Sequence, residues 1–516
     1  MARLALLSVS DKTGIVELAK ALVETHGFDI ISSGGTAKTL MDAGIPVTKV
    51  SAHTGAPEIL GGRVKTLHPR VHGGILGRPS LESDRADLEA ENIPPIELVA
   101  CNLYPFEETV AKDGVTLAEA IEKIDIGGPT LVRAAAKNFA HVTILTIPEQ
   151  YDGYLTEISA NGSASDSFRF QCSRAAFDRV LSYDHAISTY LSTQAVGDTE
   201  PQEAPLLIQA VPQQTLRYGE NPQQQAVWYR DASNATGWQA AEKLQGKDLS
   251  YNNLVDLEAA RAIAAEFADD PKACVAILKH TNPCGMALGD NLEETYRAAL
   301  AGDPVSAFGG IVAMNRSIDA ATATALTEIF LECVVAPACD ADAAEILAGK
   351  KNLRVLVLPE LASGPQKTVK AIAGGYLVQD ADSKPADPST WTVVTQAQPT
   401  ETQMSDLAFA WKVCKFVKSN AIVVVKEGRT LGIGAGQMNR VGAAKIALEQ
   451  AGDAVIGAVL ASDGFFPFGD SVTNAAAAGI AAVIQPGGSI RDSESVEAAN
   501  AAGIPMVCTG TRHFLH

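Results

Sequence analysis

Apolar and polar positions along the first part of the chain alternate between strand and helix periods. Residues 4–9 and 28–32 are short apolar runs that predict strands. Helical patterns over residues 13–26 and 36–43 follow them, and each ends at a glycine. The same rhythm continues with a strand at 98–102, a helix at 129–139 and a strand at 142–146. The pattern predicts an α/β fold with a parallel sheet covered by helices.

A polar, proline-containing stretch interrupts this rhythm. Residues 168–191 predict a long helix, and residues 192–205 then mark a domain boundary. We therefore predict a first domain over 1–200 and a second region over 201–516. Residues 380–399, rich in Pro, Asp, Ser and Thr, divide that region into two α/β subdomains at about 206–375 and 400–516. Strands are predicted at 421–425, 455–461, 480–484 and 505–508, and a weak internal duplication is compatible with the pattern.

The most reactive stretch follows an apolar run at 273–278 that predicts a buried strand. It reads Lys279-His280-Thr281-Asn282-Pro283-Cys284-Gly285. An ammonium and an imidazole thus stand at a strand end, where ligands bind in open α/β sheets. Alone, the pair fits a solvated strand end equally well. Further turn-rich clusters favour a pocket: Arg217-Tyr218-Gly219-Glu220-Asn221-Pro222, Ser306-Ala307-Phe308-Gly309-Gly310, Lys418-Ser419-Asn420 and Phe465-Phe466-Pro467-Phe468.

Two turns in the first domain are rich in hydroxyl groups and glycine. They are Ser8-Val9-Ser10-Asp11-Lys12-Thr13-Gly14 and Ser32-Ser33-Gly34-Gly35-Thr36. Both place backbone N–H groups at a helix N-terminus, which favours an anion. Ordinary N-capping is the commoner explanation of any single turn, but two consecutive turns, one of them with Lys12, favour phosphate binding. Neither turn matches a nucleoside triphosphate or dinucleotide motif.

Potential acid–base groups lie elsewhere in the same domain. The loop at 61–69 carries Arg63, Lys65 and His68, Tyr104 follows a predicted strand, and Asp125 precedes a predicted helix. On that helix Arg133 and Lys137 share a face, since they are four residues apart. A solvated helix face explains that pair without any function. Spacing alone leaves open whether Lys65, Tyr104, Asp125 and Lys137 form one site.

Composition narrows the class of protein. The 516 residues are 47% apolar and 20% charged, and the formal net charge is -19. Such a charge argues against a nucleic-acid binder but leaves small anionic ligands open. Apolar runs are too short for a membrane span or a secretory signal, so a soluble cytoplasmic protein is expected.

The cysteine and histidine patterns do not predict a metal site. Eight cysteines are scattered without a Cys-x-x-Cys pair, which is typical of reduced cytosolic thiols. The zinc-deaminase signature is absent from the sequence. His68 and His72 have helical ligand spacing, but Pro69 disfavours helix at His68. Catalysis by a metal is therefore not expected.

Long motifs in both parts of the chain resemble one family, the bifunctional purine biosynthesis enzymes that are both AICAR formyltransferase and IMP cyclohydrolase. In the first part the resemblance rests on the two hydroxyl-rich turns, Gly62-Arg63-Val64-Lys65-Thr66-Leu67-His68-Pro69, Asp125-Ile126-Gly127-Gly128 and Arg133-Ala134-Ala135-Ala136-Lys137-Asn138. In the rest it rests on Leu216-Arg217-Tyr218-Gly219, Lys279-His280-Thr281-Asn282-Pro283, Asp303-Pro304-Val305-Ser306-Ala307-Phe308-Gly309-Gly310, Gly432-Ile433-Gly434-Ala435-Gly436-Gln437, Ser462-Asp463-Gly464-Phe465-Phe466-Pro467-Phe468 and Thr511-Arg512-His513-Phe514. The motifs cover essentially the whole chain.

The resemblance implies a fold and an activity. It implies a methylglyoxal-synthase-like parallel-sheet domain followed by two cytidine-deaminase-like α/β domains without zinc. The enzyme would transfer formyl from its co-substrate, 10-formyltetrahydrofolate, to AICAR and then close the ring of FAICAR to IMP, the last two steps of IMP biosynthesis. A homodimer with formyltransferase sites at the interface is expected. Gln223 departs from the family, which commonly has histidine there, and Cys284 is interpreted as structural.

The resemblance also implies residue roles in formyl transfer. His280 would be the base, since an imidazole titrates near neutral pH, and Lys279 would stabilise the oxyanion or help to protonate the leaving nitrogen. Arg217, Tyr218 and Arg512 would hold the nucleotide. The other substrate-binding residues would be Asn282, Phe308, Gly309, Glu332, Asn420 and Phe468.

For ring closure the implied catalytic residues are Lys65, Tyr104, Asp125 and Lys137. The 5'-phosphate would lie against Ser10, Lys12, Ser33, Gly34, Gly35 and Thr36. The remaining substrate-binding residues would be Arg63, Thr66, Asn102, Gly127 and Gly128. Which group moves each proton is left open by the sequence.

Two other functions are considered from the same residues. A zinc-dependent nucleoside deaminase-like hydrolase would require bound zinc. A nucleotide-sensing protein would bind AICAR without folate-dependent turnover.

Overall fold

The structure, a computed structural model, describes residues 3–197, 200–231 and 236–516. The chain divides into two compact units, Met1–Ile208 and Gln209–His516. The predicted boundary at 200 lies close to this division. Asp198 and Thr199 of the predicted boundary segment, and Met1 and Ala2 at the start, lie outside the described residues.

The first unit is built on a five-stranded parallel sheet with the order β3-β2-β1-β4-β5. Its strands are β1 (Arg3–Leu7), β2 (Phe28–Ser32), β3 (Thr48–Lys49), β4 (Leu98–Ala100) and β5 (Thr143–Leu145). Its helices are α1 (Ile15–Glu24), α2 (Gly34–Asp42), α3 (Val50–Thr54), α4 (Pro69–Leu76), α5 (Glu82–Ala90), α6 (Phe106–Val110), α7 (Leu117–Glu122), α8 (Gly127–Lys137), α9 (Tyr151–Asn161) and α10 (Asp166–Ser192). The predicted α/β alternation is confirmed.

Burial explains why these segments form these elements. The run Leu4–Leu7 of β1 is buried on both faces, as strands of a covered parallel sheet are. Helix α1 buries Ile15, Leu18, Ala19 and Leu22, whose spacing forms one apolar face. Because β1 pairs in parallel with both β2 and β4, the loops after these three strands meet at one edge of the sheet.

The second unit contains a twelve-stranded sheet with the order β16-β21-β20-β19-β17-β18-β10-β9-β11-β12-β13-β8, and two separate hairpins, β6-β7 and β14-β15. Its strands are β6 (Ala210–Leu216), β7 (Ala226–Asp231), β8 (Glu242–Gln245), β9 (Ala273–Lys279), β10 (Asn282–Gly289), β11 (Gly310–Met314), β12 (Leu331–Ala336), β13 (Arg354–Val357), β14 (Lys367–Ile372), β15 (Gly375–Asp380), β16 (Thr392–Val393), β17 (Ile422–Lys426), β18 (Arg429–Gly434), β19 (Val459–Ser462), β20 (Ala482–Gln485) and β21 (Met506–Cys508). Its helices are α11 (Tyr251–Ala265), α12 (Leu292–Gly302), α13 (Ala320–Leu326), α14 (Ala341–Leu347), α15 (Glu401–Cys414), α16 (Arg440–Ala451), α17 (Asp470–Ala478) and α18 (Asp492–Ala502).

An internal duplication is visible in this topology. The orders β10-β9-β11-β12-β13 and β18-β17-β19-β20-β21 are the same, and each repeat adds one antiparallel edge strand, β8 or β16. The predicted subdomains thus share one continuous sheet, because β10 and β18 pair with each other. At this join the Met286 N–H donates to Thr430 Oγ1 at 2.9 Å and the Leu288 N–H donates to the Gly428 carbonyl at 2.8 Å.

The antiparallel join decides which loops come together. It inverts one repeat relative to the other, so the end of β9 and the starts of β10 and β11 lie at the same sheet end as the start of β17 and the end of β19. We call this the Lys279 edge; it also carries Asn420. Over the described parts of the chain, every helix is too short or too polar to cross a membrane.

Candidate active sites

A cavity of about 600 Å³ opens at the edge of the first sheet where β1, β2 and β4 end. The loop over residues 61–67 and the start of α8 complete its wall. Every predicted site residue of the first domain except Lys137 lines it, namely Ser10, Lys12, Ser33, Gly34, Gly35, Thr36, Arg63, Lys65, Thr66, Asn102, Tyr104, Asp125, Gly127 and Gly128. The parallel sheet therefore gathers groups that are up to 118 positions apart in the chain.

Two side chains fix the loop that follows β1. The Asn102 amide oxygen accepts from the backbone N–H groups of Ser10 at 2.5 Å and Asp11 at 2.9 Å, and its Nδ2 donates to the Asp11 carbonyl. The buried Thr36 hydroxyl accepts from the Val9 N–H at 3.0 Å and donates to the Val9 carbonyl at 2.9 Å. Because these groups hold the loop, Thr36 can offer a ligand its backbone N–H rather than its hydroxyl.

The start of α2 forms a cationic cradle. Its first N–H groups, at Gly34, Gly35 and Thr36, have no carbonyl partner within the helix. A side chain at Gly34 would lie 3.4 Å from Lys65 Nζ, and one at Gly35 would lie 3.7 Å from Lys12 Nζ. The helix dipole, the free N–H groups and two ammonium groups together suit a phosphate.

Asp125 and Tyr104 supply titratable groups at the other side of the cavity. Asp125 Oδ1 accepts from the Gly128 N–H at 2.8 Å, and the Asp125 N–H donates to the Tyr183 hydroxyl at 2.7 Å. Burial raises the pKa of Asp125, although backbone hydrogen bonds from Gly128, Tyr104 and Gly127 oppose the shift. Burial, together with the charge of Asp125, also raises the pKa of Tyr104. A carboxyl group shifted in this way is suited to proton exchange nearer to neutral pH.

Sequence reasoning did not single out the acidic partners in this cavity. Arg63 pairs with Glu122, which lines the cavity, and Lys65 Nζ lies 3.7 Å from Glu58 Oε2. No local sequence signal distinguishes either glutamate. Cys101 also lines the cavity, but burial raises the pKa of its thiol far above the ordinary value, so it is not a nucleophile.

Lys137 lies apart from the cavity. It is the last residue of α8, whereas the part of that helix that lines the cavity ends at Leu131, six residues earlier, which is about 9 Å of helix at 1.5 Å per residue. Lys137 instead lines a groove of about 720 Å³ together with Arg133 and Phe170. The structure does not bring Lys137 to the other predicted residues, and its catalytic role stays a prediction.

Lys279 and His280 lie at the Lys279 edge of the second unit, where β9 ends. The Lys279 ammonium donates to the Phe308 carbonyl at 2.7 Å. His280 is exposed in the two-residue turn between β9 and β10. Asn282 Nδ2 donates to the His280 carbonyl at 3.2 Å, and its Oδ1 accepts from the Lys418 N–H at 3.2 Å. The last bond connects the two repeats.

A buried ion pair holds Asn420 at the same edge. Arg440 donates to Asn420 Oδ1 at 2.9 Å and to Ser462 Oγ at 2.8 Å, and it pairs with Asp463, which has no exposed surface. Asn420 Nδ2 donates to the Gln437 carbonyl at 2.8 Å. The amide is therefore fixed by groups that the sequence did not identify, since a buried Arg–Asp pair has no local pattern.

Two further predicted residues, Phe308 and Gly309, stand beside Lys279, and Glu332 lies two strands away from it. The Phe308 ring is 61% exposed and packs on Phe330 with centroids 5.4 Å apart. The Gly309 N–H donates to the Phe330 carbonyl at 2.7 Å, and its φ of 69° suits glycine. Glu332, on β12, pairs with Arg354 at 2.6 Å.

Phe468 and Arg512 stand at the same edge but farther along it. They follow β19 and β21, and β19 is four strands from β9, which corresponds to roughly 19 Å at about 4.8 Å per strand. Arg491 stacks on Phe468 at 4.6 Å and Arg512 stacks on Phe514 at 4.2 Å. The predicted residues of the large sheet thus lie along one edge from β9 to β21, whereas Arg217 and Tyr218 follow a strand of the separate β6-β7 hairpin.

Arg217 and Tyr218 come directly after β6, and the guanidinium lies 5.5 Å from the Tyr218 ring centroid. In the following turn the Asn221 N–H donates to Gln224 Oε1 at 2.8 Å. Gln223, which departs from the family pattern, is exposed in this turn.

Comparison with known proteins decides the family. A family model described as "AICARFT/IMPCHase bienzyme" matches residues 135–450, and one described as "MGS-like domain" matches residues 14–130. Curated proteins named "Bifunctional purine biosynthesis protein PurH" match over 100% of both chains, with 63% identity in Synechococcus elongatus and 62% in Nostoc punctiforme and Synechocystis. The chain belongs to the AICARFT/IMPCHase bienzyme family. A crystal structure of ForH is 37% identical, covers 36% of this chain and 97% of its own, and has a TM-score of 0.33.

Family membership confirms the predicted activity and fold class. The protein is a bifunctional enzyme of purine biosynthesis, an AICAR formyltransferase and IMP cyclohydrolase, with an MGS-like α/β domain at its N-terminus. The two other functions considered from the sequence are therefore set aside. Within the described ranges, no cluster of three or more His, Cys, Asp or Glu side chains is arranged to hold a metal ion.

The bienzyme family model begins at residue 135, inside α8 of the first unit. The boundary between the two family models therefore does not coincide with the division between the two compact units, which falls after Ile208.

Proposed function

We propose that the two activities are divided between the two units. Met1–Ile208 closes the purine ring, and Gln209–His516 transfers the formyl group. The observation that supports this division best is the cavity of about 600 Å³, which lies within the first unit and combines a phosphate cradle with Asp125 and Tyr104. Lys279 and His280 stand in the second unit.

Ring closure follows from the groups around the cavity. The 5'-phosphate of FAICAR binds at the start of α2 beside Lys12, which leaves the base facing Lys65, Tyr104 and Asp125. The carboxamide nitrogen attacks the formyl carbon, a C–N bond forms, and the formyl oxygen leaves as water after gaining two protons. Lys65 stabilises charge on that oxygen, and the Tyr104–Asp125 pair exchanges protons.

Formyl transfer uses 10-formyltetrahydrofolate as co-substrate. His280 removes a proton from the 5-amino group of AICAR as its nitrogen attacks the formyl carbon, and the bond to N10 of the folate then breaks. The Lys279 ammonium stabilises the oxyanion and supports protonation of N10. Arg217, Tyr218 and Arg512 hold the nucleotide. Asn282, Phe308, Gly309, Glu332, Asn420 and Phe468 position the reacting groups.

The formyltransferase site is shared by two subunits of a homodimer in the cytoplasm. The spread of the predicted residues over strand ends roughly 19 Å apart, at β9 and β19, supports this, because such extended clefts are commonly completed at subunit interfaces. A twofold dimer would bring Lys279 and His280 of one chain to the nucleotide-binding residues of the other. The net charge of -19 favours small-molecule substrates over nucleic acid as ligands.

Separating the units tests the division of labour. Residues 1–208, produced alone, are expected to convert FAICAR to IMP, and residues 209–516 are expected to formylate AICAR, each followed by absorbance. Circular dichroism and a thermal melt establish that each fragment is folded. A folded N-terminal fragment without cyclisation activity would show that the assignment of that site is wrong.

A further inference from the structure

The turn that presents His280 has an unfavourable backbone conformation. His280 and Thr281 have φ angles of 50° and 64°, and Lys279 pairs with Asn282 across them. A two-residue turn with two positive φ angles normally contains Asn-Gly, because glycine takes left-handed backbone freely. A β-branched threonine resists this conformation. The surroundings must therefore hold the turn.

One carboxylate contacts the turn from a different element. Asp256 Oδ1 accepts from the Thr281 N–H at 2.8 Å. Asp256 lies on α11, whose residues Leu257 and Ala260 are buried in the core of the unit. The bond therefore joins the turn to a helix that packing keeps in place. Two further ties are local, since the Thr281 hydroxyl and Asn282 Nδ2 both donate to the His280 carbonyl, while Asn282 Oδ1 accepts from the Lys418 N–H of the other repeat.

We propose that Asp256 is a positioning residue for formyl transfer, which holds the left-handed turn through the Thr281 N–H and places a negative charge behind His280. The proposal rests on the proposed role of His280 as the base. The two contributions are separable, because the hydrogen bond needs only an acceptor oxygen whereas the charge needs a carboxylate.

The titratable neighbours of Asp256 lie on β9, on the turn that follows it and on β12. Burial raises the pKa of Asp256, while the Thr281 N–H and the charges of His280 and Lys279 oppose that shift. On β12, the charge of the same carboxylate contributes to the raised pKa of the Cys333 thiol. The positive groups on β9 and its turn are therefore the ones that the carboxylate stabilises.

Three variants separate the hydrogen bond from the charge. Asp256→Asn retains an acceptor oxygen and removes the charge. Asp256→Ala removes both. Asp256→Ala combined with Thr281→Gly also removes both, but glycine adopts the left-handed turn without support. His280→Ala is measured beside them, and cyclisation by the same preparations and thermal unfolding report on folding.

The expected results differ between the variants. Asp256→Ala should lower kcat for formyl transfer about 10- to 100-fold, as misplacement of a catalytic group does, and the added Thr281→Gly should recover most of that loss. Asp256→Asn should retain kcat within about threefold at the optimum.

Two results would overturn the proposal. The first is that Asp256→Ala transfers formyl within about twofold of the wild-type rate while His280→Ala is inactive. In that case His280 has its proposed role and Asp256 does not. The other is a loss in Asp256→Ala that the added Thr281→Gly does not recover, because Asp256 would then not act by holding the turn. An active His280→Ala would instead contradict the proposed function itself, and the inference with it.

Discussion

The Lys279 ammonium donates to the backbone carbonyl of Phe308 at 2.7 Å, which fixes a catalytic candidate against the loop that begins the neighbouring strand. Lys279→Ala and His280→Ala are each expected to lower formyl transfer by on the order of 100-fold or more, because a positioned charge or base is lost. Absorbance assays of both reactions on the same protein should show wild-type cyclisation. Lys445→Ala, which removes an exposed lysine paired with Glu449, is the matched control and should leave both rates unchanged.

Lys137→Ala should show the reverse selectivity. Transfer is expected to stay at the wild-type rate, because Lys137 belongs to the first unit. A catalytic role for Lys137 in ring closure predicts slower cyclisation. The rate of IMP formation from FAICAR measures this change. Unchanged cyclisation would show that Lys137 is not part of the ring-closing site. Its position in the groove with Arg133, outside the cavity, would agree with that result.

Hybrid dimers test the shared formyltransferase site. Mixing Lys279→Ala subunits with Arg512→Ala subunits should regenerate one intact site in each hybrid. With random exchange about half of the dimers are hybrids, so transfer should recover to roughly a quarter of the wild-type activity. Differently tagged subunits allow the hybrids to be counted. Hybrids that form and remain as inactive as the parents would mean that each chain has a complete site of its own.

Lys12 should act on binding rather than on chemistry. Its ammonium lies beside Gly35 at the start of α2, where we place the phosphate, and not with the proposed acid–base groups Asp125 and Tyr104. The phosphate takes no part in the bond changes of ring closure. Lys12→Ala is therefore expected to raise KM for FAICAR by about 10-fold or more with a smaller change in kcat. The control Lys20→Ala removes an exposed lysine of α1.

The dephosphorylated nucleoside makes this test specific. It lacks the group that Lys12 contacts, so the wild type and Lys12→Ala should process it at similar rates. If Lys12→Ala impairs the nucleoside as much as FAICAR, Lys12 does not serve the phosphate.

The buried Asp125 carboxylate is expected to lower the free energy of unfolding of the first unit at neutral pH while it serves catalysis. Its folded-state pKa is raised by burial, so its ionised form destabilises the fold above that pKa, and the penalty disappears as pH falls below the ordinary aspartate value of about 3.9. Asp125→Asn should therefore abolish most cyclisation while raising the melting temperature of the first unit at pH 7.5. Calorimetry over a pH series should show the difference shrinking toward acid pH. A lower melting temperature at pH 7.5 would contradict this account of the burial.

The sequence by itself determined the class, the family and most of the residues that line the cavity of the first unit. Ser10, Lys12, Gly34 and Gly35 were identifiable because strand-to-helix turns are local, and a parallel sheet places the ends of its strands at one edge. The long motifs around Lys65 and Asp125 carried the resemblance that the comparisons confirmed. These features depend on residues that are near neighbours in the chain.

Tertiary structure alone decided the remaining features. The first part of α8 lines the cavity, but Lys137 is the last residue of that helix and lines a different groove. The contacts of Asp256 with Thr281, and of Arg440 with Asp463, join separate elements and leave no periodic trace in the sequence. The single twelve-stranded sheet depends on pairing between β10 and β18, more than a hundred residues apart. Long-range pairing of this kind follows from which surfaces pack together, and local patterns of polar and apolar residues do not specify it.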